Sequence, residues 1–133
     1  ISAETAQVMR LMMESVVSGN GTAPSAAIPG YRVAGKTGTA QRIDDTCGCY
    51  RGYTASFIGF APADKPAYVI SVTIQDPKGM HWGGVLGGPV FKKVMSFVLQ
   101  SRHIAPTGTA FDPIPLNKKA LAAKKAQDAT ANN

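Results

Sequence analysis

"GYRVAGKT", Gly30 to Thr37, matches the phosphate-binding loop pattern G-x-x-x-x-G-K-[ST] letter for letter. Further on, "YVISVTIQD", Tyr68 to Asp76, ends a hydrophobic strand in an acid, like the second half of a nucleotide site. A phosphate loop needs a buried strand before its first glycine and a helix after its Lys-Thr, because the helix N-terminus and the loop amides hold the phosphates. Neither flank fits. "GTAPSAAIP" is a poor strand and places Pro29 against Gly30, and "GTAQRIDDTCG" is a poor helix. Tyr31 to Ala34 favour extended structure. The acid partner fails as well: Ser71, Thr73 and Gln75 alternate through its strand, whereas a strand buried on both faces reads as almost continuously apolar.

The same stretch, extended to "YRVAGKTGTAQ", reads as a strand. Tyr31, Val33, Gly35, Thr37 and Thr39 share one face, and Arg32, Ala34, Lys36 and Gly38 share the other. Two hydroxyls then project together, with a cation on the opposite side. Gly38 removes a side chain, so another backbone can approach. Such an edge can add a peptide as an extra strand while its hydroxyls hold a carboxylate.

Outward from this strand the pattern is helix, three strands, helix, tail. Ser2 can cap a helix with Glu4 in its first turn. Val8, Leu11, Met12 and Val16 follow at helical spacing, flanked by Met9 and Met13, and predict a core-facing stripe. Gly19 and Gly21 end it. "IDDTCGCYRG" is a connection, "YTASFIGFA" a second strand, "PADKP" a turn. In "AYVISVTIQ", Tyr68, Ile70, Val72 and Ile74 lie on one side and Val69, Ser71, Thr73 and Gln75 on the other. "DPKGMHWGGVLGG" is a glycine-rich connection, and Pro89 suits the first turn of a second helix. That helix would bury Phe91, Val94, Met95 and Val98 and keep Lys92, Lys93, Ser96 and Gln100 outside. Short connections imply antiparallel pairing. The fold class expected is α+β: an antiparallel sheet of three strands packed by an N-terminal and a C-terminal helix, part of a larger unit because the core is thin.

The 133 residues suffice for one domain. The chain opens on Ile1 rather than methionine, so a processed product or fragment is expected. No stretch approaches the roughly 18–20 apolar residues of a membrane span, and no signal segment is present. The formal charge is +6, but Lys118, Lys119, Lys124 and Lys125 oppose only Asp128, so the end of the chain carries +3 of it. The remainder is mildly basic, which does not imply nucleic acid. The segment 104–133 is proline-broken, then rich in Ala and Lys, and is expected to be disordered. Cys47 and Cys49 flank one glycine; a local disulfide and two free thiols are equal alternatives.

With these residues in view, the chain resembles the C-terminal part of the transpeptidase domain of penicillin-binding proteins. "PGYRVAGKTGTAQ", "YTASFIGFAPADKPAYVISVTIQDP" and "HWGGVLGGPVFKKVMSFVL" match in order, and Lys-Thr-Gly is a motif of that group. The likeness is to the class B, division-specific (septal) type, actinobacterial members above all, and covers residues 1–103, with "FDPIPL" a plausible family tail. It implies a larger β-lactamase/transpeptidase-like domain. It also implies serine acyl transfer: a Ser-x-x-Lys serine attacks a D-Ala–D-Ala peptide, and the amine of a neighbouring stem peptide resolves the acyl-enzyme. β-Lactams acylate the same serine. By resemblance, Lys36 is the catalytic candidate, supplying positive potential and a hydrogen bond to the serine network. Thr37, Gly38 and Thr39 are the substrate-binding candidates. The two hydroxyls would hold the substrate carboxylate, the Thr39 N–H would be an oxyanion-hole donor, and its carbonyl would accept from the substrate amide.

The departures are as informative. No Ser-x-x-Lys occurs in the chain. Ser18-Gly19-Asn20 imitates the family's Ser-x-Asn, but helix-stop chemistry explains it. The chain alone is therefore expected to be inactive. The resemblance implies no cofactor or metal, and an extracytoplasmic location at the cell membrane. The partners implied are stem peptides, β-lactams, the N-terminal remainder of the domain and other cell-division proteins.

Other readings are weaker. A non-catalytic peptide- or nucleic-acid-binding module could use the strand edge and the basic charge. "RGYTASFIGF" has the wrong spacing for an RNA-stacking strand, because extra residues separate Tyr53 from Phe57. Asp44 and Asp45 read as a solvated turn. His81 and His103 lack metal spacing, and His81-Trp82 reads as loop packing that could line the substrate groove.

Overall fold

The structure is a computed structural model that describes residues 1–108 and Thr130. Helix α1 spans Ala3–Val17, and a single 3₁₀ turn follows at Pro24–Ala26. Strands β1 (Ala34–Asp44), β2 (Cys49–Ala61) and β3 (Tyr68–Gln75) form one antiparallel sheet in the order β1-β2-β3, and helix α2 (Gly83–Ser101) closes the fold. The α+β class and the three-stranded antiparallel sheet are as expected. The tail lysines and "FDPIPL" lie outside the described residues.

α1 starts where predicted. The Ser2 hydroxyl accepts from the Thr5 N–H at 3.1 Å, and Glu4 lies in the first turn. Its predicted core stripe holds in part: Leu11 is half-buried and Val16 packs against the core. Val8 and Met12 are a correction, each 45% exposed, and the buried residues are Glu14 and Val17. Among the described residues only the last turns of α1 dock. Glu14 can be buried because Arg32 grips its carboxylate with both Nε and Nη2, at 2.8 and 2.7 Å. The Glu14 hydrogen bond holds the Arg32 guanidinium above its ordinary value. This clasp ties α1 to the residues entering β1.

The strands run longer at the β1–β2 turn than expected. β1 continues to Asp44 and β2 begins at Cys49, so only residues 45–48 form the connection. The Asp44 carboxylate accepts from the Thr46 N–H at 3.0 Å and from its hydroxyl, and Cys47 and Cys49 form a disulfide across the turn. A register shift lies between Gln41 and Ile43. β3 alternates as read: Tyr68, Ile70, Val72 and Ile74 are half-buried, and Val69, Ser71, Thr73 and Gln75 are exposed.

α2 covers the face of the sheet that carries Ala55 and Phe57. Phe91 meets Phe57 edge-on, with ring centroids 5.0 Å apart, and Met95 and Leu99 complete a fully buried line. The helix begins at Gly83, six residues before the predicted start at Pro89, and the proline lies inside it. Glycine forms helix here because nothing larger fits. A Cβ on Gly83 would fall on the carbonyl oxygens of Ser56 and Gly38, and one on Gly84 on that of Thr22. The buried line therefore runs Gly84, Gly87, Gly88, Phe91, Met95, Leu99. Val94, assigned to the core from its spacing, is 43% exposed.

Candidate functional site

β1 is an edge strand, hydrogen-bonded on one side to β2. Its two-residue period sends Thr37 and Thr39 toward the start of α2, the face on which their cross-strand partners Phe57 and Ala55 are buried. Lys36 leaves on the opposite face beside Ile58, but its stem curls over the edge. Its ammonium donates to the Thr37 carbonyl at 2.9 Å and reaches the Thr37 hydroxyl at 3.4 Å. The cation and both hydroxyls, placed on opposite faces by alternation, thus meet at one rim.

That rim borders an open groove of about 450 Å³, lined by Thr22, Lys36, Thr37, Thr39 and Trp82–Val85. The Gly83 N–H at the head of α2 donates to the Thr39 hydroxyl at 3.4 Å. The Thr22 and Thr37 hydroxyls are 3.3 Å apart. The chemistry is that of an anion receptor: an ammonium, two to three hydroxyls that can donate, and the positive end of a 19-residue helix. In an antiparallel ladder, alternate peptide groups face the partner strand and the free edge. The Thr37 carbonyl accepts from Lys36, and Thr39, two residues on, presents its N–H and C=O to the same side of the strand as Thr37.

Gly38 packs tightly on β2. A Cβ there would fall on the Ser56 hydroxyl of β2, and the backbone that approaches is that of Gly83, against the Gly38 carbonyl. Lys36, Thr37 and Thr39 line the groove, and the missing side chain of Gly83 lets the head of α2 close on the Gly38 carbonyl. Trp82, 57% exposed, lines the groove, and His81 beside it stacks on Tyr53 with ring centroids 4.0 Å apart. Thr22 and Gly83–Val85 were not singled out from the sequence. Thr22 comes from the loop after α1 and Gly83–Val85 from the head of α2, and the one signal for the latter is the glycine-rich run.

The rejected readings are accounted for. Ser18 caps α1, its hydroxyl donating to the Ser15 carbonyl at 2.7 Å, and it lines a different cleft with Glu14 and Arg32. Phe57 is fully buried and cannot stack a base. Lys36 lies within a strand, without the helix that a phosphate loop requires.

The penicillin binding protein transpeptidase domain family matches residues 1–96. Penicillin-binding protein PbpB of Mycolicibacterium smegmatis is 44% identical over 125 residues, covering 86% of this chain and 19% of that protein. The probable peptidoglycan D,D-transpeptidase PenA of Neisseria flavescens is 41% identical over 108 residues, covering 80% of this chain and 27% of its own length. The chain thus spans about a fifth to a quarter of these relatives. Among solved structures, penicillin-binding protein 3 of Mycobacterium tuberculosis, complexed with ampicillin, superposes with a TM-score of 0.72 at 35% identity, over 87% of this chain and 27% of that one.

Proposed function

Because the chain belongs to the penicillin-binding protein transpeptidase domain family, we propose that it supplies the substrate-binding strand of a peptidoglycan D,D-transpeptidase that cross-links stem peptides during cell division, at the extracytoplasmic face of the membrane. The observation that carries this reading is the meeting of the Lys36 ammonium with the Thr37 and Thr39 hydroxyls at one groove on a free sheet edge. A relative is named as a D,D-transpeptidase, and a structural neighbour is a complex with ampicillin.

In this reading a peptide ending in D-Ala–D-Ala lies along β1 as an added strand. The Thr37 and Thr39 hydroxyls donate to its terminal carboxylate, and the Thr39 carbonyl accepts from its amide. The Thr39 N–H stabilises the oxyanion as a serine attacks the penultimate carbonyl. Lys36 holds positive potential beside that serine and donates to its hydrogen-bond network. The serine forms an ester with the donor peptide while the terminal D-Ala leaves with a proton. The amine of a second stem peptide then displaces the serine. The chain contains no Ser-x-x-Lys, so the nucleophile comes from outside these 133 residues. β-Lactams enter by the same route, their carboxylate on the same hydroxyls.

Thr39→Val in the full-length protein tests this. One hydrogen bond to a charged group is lost, and acylation by benzylpenicillin should fall about tenfold or more. An unchanged rate would remove Thr39 from the site.

A further inference from the structure

We propose that Thr22 is a positioning residue that sets the direction of the Thr37 hydroxyl proton and so tunes the groove for a carboxylate rather than a neutral oxygen; this rests on the reading of Thr37 as a carboxylate ligand.

Thr22 stands in the loop after α1, held from both ends. The Gly21 N–H donates to the Ser18 carbonyl and the Ala23 N–H to the Val16 carbonyl, each at 2.9 Å. Its own carbonyl lies so close to Gly84 that no side chain fits there, and the neighbouring Ser25 hydroxyl donates to the Gly84 carbonyl at 3.0 Å. The position of Thr22 is therefore fixed by α1 and by the head of α2. From that anchor its hydroxyl meets the Thr37 hydroxyl at 3.3 Å, at the groove.

A hydroxyl carries one proton and two acceptor sites, whereas an ammonium only donates. Lys36 Nζ lies 3.4 Å from Thr37 Oγ1 and occupies one acceptor site. The pair with Thr22 then has two states. In one, Thr37 gives its proton to Thr22. In the other, Thr22 donates to Thr37, both acceptor sites of Thr37 are filled, and its proton points into the groove. Two incoming donors make the outgoing one stronger. An anionic oxygen stabilises the second state more than a neutral one, since hydrogen bonds to charged acceptors are about twice as strong. Contacts of 3.3–3.4 Å are long for hydroxyls, and such contacts tighten when the reacting complex forms. Without the Thr22 hydroxyl, Thr37 is free to turn away from the ligand.

The test measures acylation of the full-length protein by benzylpenicillin and by its methyl ester, which lacks the anion. Thr22→Val should lower the rate with benzylpenicillin about fivefold, the worth of one hydrogen bond, and the ester rate only about twofold, because a neutral acceptor gains about half as much, so that preference for the carboxylate shrinks. Thr22→Ser, which keeps the hydroxyl, should restore it. Thr22→Ala removes the hydroxyl without a second methyl and should behave like the valine, with an unaltered melting temperature. Equal losses with both compounds would reduce Thr22 to loop packing and overturn the inference. So would a wild-type rate in both Thr22→Val and Thr22→Ala. Failure of the wild-type protein to react with benzylpenicillin at all would instead overturn the function on which the inference stands, and the inference with it.

Discussion

Lys36 spends its length on bending over the edge of β1, and the Thr37 carbonyl is where its ammonium comes to rest. It forms no ion pair among the described residues and is exposed, so its removal touches little that holds the fold. Lys36→Ala should therefore change stability by no more than about 0.5 kcal/mol. In the full-length protein it should lower penicillin acylation by on the order of a hundredfold, the scale on which a positioned proton-transfer partner contributes. Measuring both in one preparation separates the roles; a large loss of stability with an unchanged rate would make Lys36 structural. Thr37 and Thr39 were legible in the sequence because a two-residue period needs only one strand to be recognised. Thr22 was not, because its loop reaches the groove only after α1 and α2 have packed. The spacing of two threonines on different elements carries no periodic signal.

At the scale of elements, the Glu14–Arg32 clasp fixes where β1 begins. Glu14 is 2% exposed, whereas the Arg32 side chain keeps 18% of its surface in water. Glu14→Gln leaves the guanidinium facing a neutral amide, and should cost about 3 kcal/mol, the low end for one lost partner of a buried pair because Arg32 remains partly solvated. Urea denaturation of the chain reads this directly; an unfolding free-energy loss under a third of that would show that solvent replaces the pair. The β1–β2 turn gives a pH-dependent counterpart. The Asp44 carboxylate is held below its ordinary value of 3.8 by hydrogen bonds from the Thr46 hydroxyl and N–H. A lowered carboxylate stabilises the fold above its ordinary value, and the contribution disappears as pH falls through the lowered one. Thr46→Val should thus melt earlier than wild type at neutral pH, and the gap should close as pH drops below 3.8 toward that lowered value. A gap that persists in acid would assign the effect to something other than this carboxylate. β3 was fully legible, since its alternation is intrinsic to the strand. The start of α2 was not: Gly83, Gly84, Gly87 and Gly88 carry turn propensity, and the sheet, Thr22 and the Ser25–Ala26 turn pressing against them make glycine the residue that a helix needs there.

At the scale of the molecule, one face of the sheet is covered by α2, while Ile58 and Val69 on the other are 48% and 69% exposed. Phe97 on α2 is 70% exposed, and Val8, Met9 and Met12 of α1 are 45–48% exposed. The groove is similarly one-sided: hydroxyls and an ammonium line the β1 edge, with no acylatable Ser-x-x-Lys serine in the sequence to face them. On the proposed function, this chain binds the substrate and a serine elsewhere makes the bond. The most direct measurement is covalent labelling with fluorescent penicillin, resolved by denaturing gel, for this chain alone and for this chain mixed with the polypeptide that carries the Ser-x-x-Lys serine. The chain alone should take no label, and in the mixture a label should appear on the other polypeptide that Lys36→Ala in this chain abolishes or greatly slows. Covalent label on this chain, or labelling of the mixture at the same rate with Lys36→Ala as without it, would overturn this division of roles.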